Sequence, residues 1–255
     1  MAIIGTLPNN IQDGQVADAA PVMADFNFIV AQVNANAQPL AIPQTGTLLN
    51  IQVIGASGTY TATPGTNSIV VYLVGGGGAG GGAIATSGSQ NSAGAGGNSG
   101  AACTGRIISG FSGQAVVIGA QGAPATGAAG GTGGTSTFMG LTAPGGLGGN
   151  TVSGLSTAMA VAFPIGAGSV ATGGLVNGAP ALGGTSAAIQ NLGGIVGNGG
   201  NSPIGGGGGV GIVNGNGAGG TAFGAGGGGS VSFPSHSATQ GGAGAQGLCL
   251  IYEFT

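Results

Sequence analysis

Ser68-Ile-Val-Val-Tyr-Leu-Val-Gly-Gly-Gly-Gly-Ala-Gly-Gly-Gly82 sets the two structural habits of this chain side by side. From Ile69 to Val74 five of six residues are β-branched or aromatic, the composition of a buried strand. The glycines that follow can build neither a helix nor a side-chain core, but with no Cβ they can lie directly against another backbone. An extended chain with three residues per turn makes no internal hydrogen bonds, so a buried one must pair sideways with its neighbours. Clusters recur at 75–78, 205–209 and 226–229, which points to a bundle of such rods joined by lateral amide bonds.

The whole composition agrees. Glycine fills 65 of 255 positions and proline 11, a level at which disorder is the usual suspicion. Disordered chains are poor in apolar residues and rich in charge, whereas this one is 42% hydrophobic and 2% charged. Collagen is excluded because the glycines cluster and do not fall at every third position. The apolar run 69–74 is far shorter than the roughly 20 residues of a membrane helix. No basic segment precedes an apolar core at the N-terminus, so synthesis in a cytoplasm without Sec export is expected.

Chemistry is nearly absent. After Asp13, Asp18 and Asp25 the only charges are Arg106 and Glu253. There is no lysine, so no phosphate loop, and one arginine cannot neutralise a nucleic acid backbone. The G-x-G-x-x-G matches around 215–220 are expected by chance at this glycine content, and no helix or ribose-binding carboxylate follows. His236 is the only histidine, with no carboxylate near it in sequence for a hydrolytic triad. Cys103 and Cys249 fit neither a disulfide framework nor a zinc site and read as packed, reduced thiols. A non-catalytic, cofactor-free binding scaffold is the expectation. Arg106 is expected to satisfy backbone carbonyls or to reach solvent, and a pair with Glu253 would close the fold.

Composition shifts near residue 58. Asp18 can cap a helix running to about Ala37, with Pro21 tolerable in its first turn. Along it Val22, Phe26, Ile29 and Val33 recur at spacings of four, three and four, an a/d seam that predicts self-association. Residues 1–45 are read as an attachment and oligomerisation segment, 46–58 as a linker and 59–255 as one glycine-rich β domain. Strands are expected at 59–62, 68–74, 103–108, 114–118, 135–141 and 248–254, with faint strand signals between 144 and 243. The fold class is therefore mainly β with irregular, polyglycine II-like rods and a short N-terminal helix.

Five stretches carry a resemblance. Thr59-Tyr-Thr-Ala-Thr-Pro-Gly65 running on through Gly82 is similar to the opening of the glycine-rich domain of bacteriophage tail fibres and tip adhesins. Ser99-Gly-Ala-Ala-Cys-Thr-Gly-Arg-Ile-Ile108 through Gly122 resembles its second hairpin, Gly133-Gly-Thr-Ser-Thr-Phe-Met-Gly-Leu-Thr-Ala-Pro-Gly-Gly146 its signature segment, and Gly241-Gly-Ala-Gly-Ala-Gln-Gly-Leu-Cys-Leu-Ile-Tyr-Glu-Phe254 its closing strand. Leu7-Pro-Asn-Asn-Ile-Gln-Asp-Gly14 through Asn27 resembles the N-terminal segment of many tail fibre and tailspike proteins. The resemblance implies a homotrimer whose helix is a trimeric coiled coil, where the seam alone leaves dimer and trimer open. It also implies a place in the virion tail, a tail or baseplate partner for the N-terminal segment, and a host receptor, a glycan or an outer-membrane protein. A tail plug without a receptor and an ice-binding or matrix protein are the rival readings.

Receptor contact needs side chains, which the rods lack, so the loops at 84–98 and 230–240 are the candidates. Gln90 and Asn91 lie in the first; Phe233, Pro234 and His236 form an aromatic platform between hydroxyl-rich flanks in the second. The stretch 151–188, unusually apolar and containing Phe163, reads either as core filler or as a further receptor loop.

Overall fold

The computed structural model describes residues 19–36, 46–152, 157–190, 192–206 and 208–255. The chain divides into two units, Met1–Thr45 and Gly46–Thr255. In the first, helix α1 spans Ala19–Asn36, within a residue of expectation at each described end. Val22, Phe26 and Val33 are exposed along it and Ile29 is half-buried, while Asp18 and Ala37 lie outside the described residues. It is the only helix among the described residues; none there is long and apolar enough to cross a membrane.

The second unit is mainly β, and its described strands close no barrel. Its principal sheet has five strands in the spatial order Leu48–Ile54, Leu248–Phe254, Ser68–Val74, Ala102–Ile107 and Val176–Gly178. The two strands with the strongest β composition fall where the sequence places them, and they pair antiparallel along their full length, Leu248 opposite Val74 and Phe254 opposite Ser68. The segment read as a linker is instead this sheet's edge strand, Leu48–Ile54, paired from Ile54 opposite Cys249 to Leu48 opposite Phe254. Leu49-Asn-Ile-Gln-Val53 alternates apolar and polar residues as a strand does, a signal the linker reading passes over, and here the apolar Ile51 and Val53 are exposed while Gln52 is half-buried.

A four-stranded sheet, Gly58–Thr59, Ala115–Val117, Ser136–Phe138 and Leu141–Ala143, adds the second layer. The stretch 135–141, expected as one strand, is a hairpin broken by Met139 and Gly140, both at positive φ (45° and 81°). Positive φ at both central residues is the two-residue turn that matches strand twist. Between the layers lies the side-chain core, including Tyr60, Ile69, Val71, Leu73, Phe138, Leu141, Cys249 and Ile251. The Tyr60 and Phe138 rings meet edge to face, centroids 5.7 Å apart. Cys103 and Cys249 are free and buried, both placed opposite Leu73 on its two flanking strands.

Glu253 and Arg106 do not pair. Glu253 lies opposite Ile69, which lies opposite Ile107, whereas Arg106 lies opposite Val70. With side chains alternating across a strand, the two charges point to opposite faces of the sheet. Glu253 is fully buried, and its Oε1 accepts from Tyr60 Oη at 2.5 Å, Gln52 Nε2 at 2.9 Å and the Thr63 amide at 3.2 Å.

Beyond the sheets the glycine segments take over. Residues 75–82 are fully buried, yet belong to no strand or helix. Their amides pair with a period of three: 75, 78 and 81 donate to the carbonyls of 101, 98 and 95; 76, 79 and 82 to those of 134, 131 and 128; 77 and 80 to those of 245 and 242. Such a period follows from a backbone with three residues per turn. Carbonyls of the same segment accept from Gly122, Gly146, Gly149 and Gly227, so six neighbouring segments surround it. The segment 95–101 repeats the pattern, with 95, 98 and 101 donating to 150, 147 and 144, and 97 and 100 to 227 and 224. Three fully buried segments meet at the centre, where Gly78 donates to Asn98, Gly97 to Gly227 and Gly227 to Gly78, each at 2.9 Å. A Cβ on Gly78, Gly97 or Gly227 would lie 2.2, 2.4 or 2.0 Å from a neighbouring carbonyl oxygen, so glycine is required there.

Candidate functional site

The second unit has two unlike ends. Gly46 enters beside Thr255, its amide 2.6 Å from that carbonyl, at the end of the principal sheet remote from Val74. Chain direction then carries 75–82 away from the sheet over about 22 Å at roughly 3.1 Å per residue. Loop 84–90 follows and turns back into the buried segment 91–101. The segment 224–229 runs on through Ser230–Ser232 into loop 233–240.

Both loops expected as receptor candidates therefore open at the same end, and the structure joins them. Thr86 donates its amide to the His236 carbonyl at 2.9 Å and its hydroxyl to the Phe233 carbonyl at 2.5 Å, and its Oγ1 accepts the His236 amide at 3.0 Å. The Ser235 amide reaches the Ser87 carbonyl at 3.1 Å. Gln90 closes the first loop on itself, its Oε1 accepting from Ser87 Oγ at 2.7 Å and from the Ser87 amide at 3.1 Å. Beneath them Ser230, Thr239 and Ala83 form a buried knot, with Thr239 Oγ1 donating to Ser230 Oγ at 2.8 Å and the Ala83 amide to Ser230 Oγ at 2.9 Å.

Two further turns border the pair. Gly127 donates to the Thr239 carbonyl at 3.0 Å, and the Asn214 carboxamide accepts the Phe233 amide at 2.8 Å. Asn214 and Ser235 both hold positive φ, 53° and 62°, uncommon for residues other than glycine and better tolerated by asparagine. Asn214 was not among the sequence candidates, although Asn214-Gly215 after Ile212-Val213 is a turn signal.

The candidates take different positions. His236 is half-buried, with exposed Ser235 and Ser237 beside it. Phe233 is half-buried because its ring packs on a cluster of Ala93, Ala95, Ala160, Ala162, Ala188 and Val231, so it anchors the loop as well as showing an edge. Asn91 is fully buried, as is the rest of 91–98, which narrows the solvent-facing part of the first loop to 84–90. Phe163 is exposed but stands one residue past the strand Met159–Ala162, outside the joined loops. Hydroxyls, carboxamides, one imidazole and one aromatic edge thus compose this end without a charge, suited to neutral hydrogen-bonding ligands. Among the described residues no group of His, Cys, Asp and Glu is placed to hold a metal ion.

The sequence pattern of the glycine-rich domain family matches residues 52–253, and the chain belongs to that family. No curated protein matches it.

Proposed function

We propose that this protein is a non-catalytic attachment protein of a bacteriophage tail, a fibre or tip component that contacts the host surface through the joined loops 84–90 and 233–240. One observation carries the reading: the chain enters the glycine-rich unit at its sheet end, and the loops open at the other. The buried glycine segments between the two ends present mainly paired amides and few side chains, so they act as a stiff spacer of polyglycine II type and leave recognition to the loops. The resemblance to tail fibres supports a virion partner for the N-terminal segment and a homotrimer, and the seam of Val22, Phe26, Ile29 and Val33 supports self-association through α1.

Replacing His236 and Ser237 together with alanine tests the contact while sparing the Phe233 anchor. Phage carrying the double variant should adsorb at least tenfold more slowly, with an unchanged melting temperature. Normal adsorption would reject the loop end as the receptor surface and favour a tail plug. Phe26→Asp tests the seam separately: the variant should sediment at lower mass, and an unchanged oligomer would remove α1 as its source.

A further inference from the structure

One exposed apolar surface is a sheet built inside out. Strands Gly193–Ile195, Ser186–Ile189 and Met159–Ala162 form a three-stranded antiparallel sheet in that order. Ala187 lies opposite both Ile195 and Val161, and Ile189 opposite both Gly193 and Met159. Directly opposed residues share a face, so Ile195, Val161, Ile189 and Met159 stand on one side and Ala160, Ala162 and Ala188 on the other. The alanine side is the buried one, packed on Ala93, Ala95 and Val231 of the central segments. Small side chains suit that side because the segments beneath present backbone and methyl groups at close approach. The large side chains, which an isolated domain would turn inward, are left to solvent.

The exposures are high: Leu192 83%, Ile195 73%, Phe163 64% and Met159 51%. Ala187, Ile189, Leu192, Gly193, Gly194 and Ile195 line a depression of about 230 Å³ in this face. Single exposed apolar residues are ordinary, but a contiguous group of this kind marks an interaction surface. Together they offer about 500 Å² per copy, so a pair would bury about 1,000 Å², the lower bound of a specific interface.

We infer that this outward face is a self-association surface and that its occupant is a second copy of the same face. The charge distribution selects that partner. Between Gly46 and Thr255 the only charged side chains are Arg106 and the buried Glu253, so the unit has no net side-chain charge to hold copies apart. No charge interrupts the face, and a sheet surface of branched aliphatics packs on its like across a two-fold axis. A lipid surface fits less well, because interfacial binding draws on cationic residues and tryptophan; the chain has neither lysine nor tryptophan and one arginine. The inference does not rest on the attachment reading.

The test uses the full chain carrying Phe26→Asp, so that α1 does not itself hold copies together. Leu192→Cys and Ile195→Cys are compared with Leu175→Cys, equally exposed at 79% beside the principal sheet; the native cysteines are buried and silent. Under one mild oxidant the face cysteines should form interchain disulfides at least tenfold faster than the control. Sedimentation should show concentration-dependent dimers that Ile195→Ser weakens at least tenfold at unchanged melting temperature. Equal disulfide rates, or a chain monomeric at every concentration with Ile195 intact, would overturn the inference. Flotation with neutral phosphatidylcholine vesicles, lost in Ile195→Ser and without dimers in solution, would overturn it in favour of lipid.

Discussion

Gly227→Ala should be among the most damaging single-methyl additions this chain can receive. The amide of Gly227 donates to Gly78 and its carbonyl accepts from Gly97, both at 2.9 Å, within the ring of bonds that joins the three central segments. An alanine Cβ there would lie 2.0 Å from the Gly242 carbonyl oxygen and 2.5 Å from its carbon. A non-bonded carbon and oxygen need more than 3 Å, so the segments must part by about 1 Å, and every obstructing atom is backbone. Overpacking costs about 1–3 kcal/mol. Stretching two buried amide bonds adds about 1–3 kcal/mol, since these groups have no water to turn to. The total, about 2–6 kcal/mol, is a large share of a typical domain's 5–15 kcal/mol. Gly58→Ala is the control: nothing lies within 4 Å of the new methyl, and a change within about 0.5 kcal/mol is expected. Denaturant unfolding of the full chain, followed by circular dichroism and by intrinsic tyrosine fluorescence, measures both. If Gly227→Ala and Gly58→Ala unfold at the same midpoint, close backbone contact between segments is not what holds this bundle together.

The buried carboxylate and thiols give two more predictions. Burial pushes the Glu253 carboxyl up, but hydrogen bonds from Thr63, Tyr60 and Asn50 outweigh it and hold it below the ordinary glutamate range. A depressed folded-state value contributes stability above the unfolded value of about 4.3 that is lost as pH falls through the folded one. Glu253→Gln should therefore unfold about 1 kcal/mol more easily than wild type at pH 7, and the gap should narrow as pH falls below about 4 in paired denaturation curves. Burial, and then the neighbouring Cys103, push the Cys249 thiol up to about 12, and burial also raises Cys103. At pH 8 the native chain should leave a chromogenic disulfide reagent unreacted over an hour, while denatured chain consumes two equivalents; rapid native reaction would contradict the closed core.

What the sequence reveals depends on whether a residue's fate is decided by its own neighbours. Ser68–Val74 and Leu248–Phe254 are legible to the residue because their β-rich composition and their glycine breakers are local. The turn at Met139 and Gly140 is not, because methionine carries no turn signal and its positive φ is imposed by the pairing of Ser136–Phe138 with Leu141–Ala143. Leu48–Ile54 differs: Leu49-Asn-Ile-Gln-Val53 carries the alternation of a strand, but as an edge strand it leaves its apolar residues exposed, so the pattern marks the strand without marking a buried side. At the loop end, residue type singles out Phe233 and His236, but only the fold shows that Thr86 ties their loop to the other across some 150 residues of chain.

The stretch 151–188 illustrates the deeper limit. In sequence the stretch reads either as core filler or as a receptor loop, and in an ordinary sheet Met159, Val161 and Phe163 would face the core with Ala160 and Ala162 on the other side. Here the order is reversed. A core made of glycine backbones has no room for large side chains at its border, so the smallest residues face inward and the bulky ones are displaced to the surface. Hydrophobic pattern therefore predicts which residues share a face of this sheet but assigns the wrong face to the core. In this unit inward-facing alanine marks the packed side of the sheet, and the large exposed side chains mark the other.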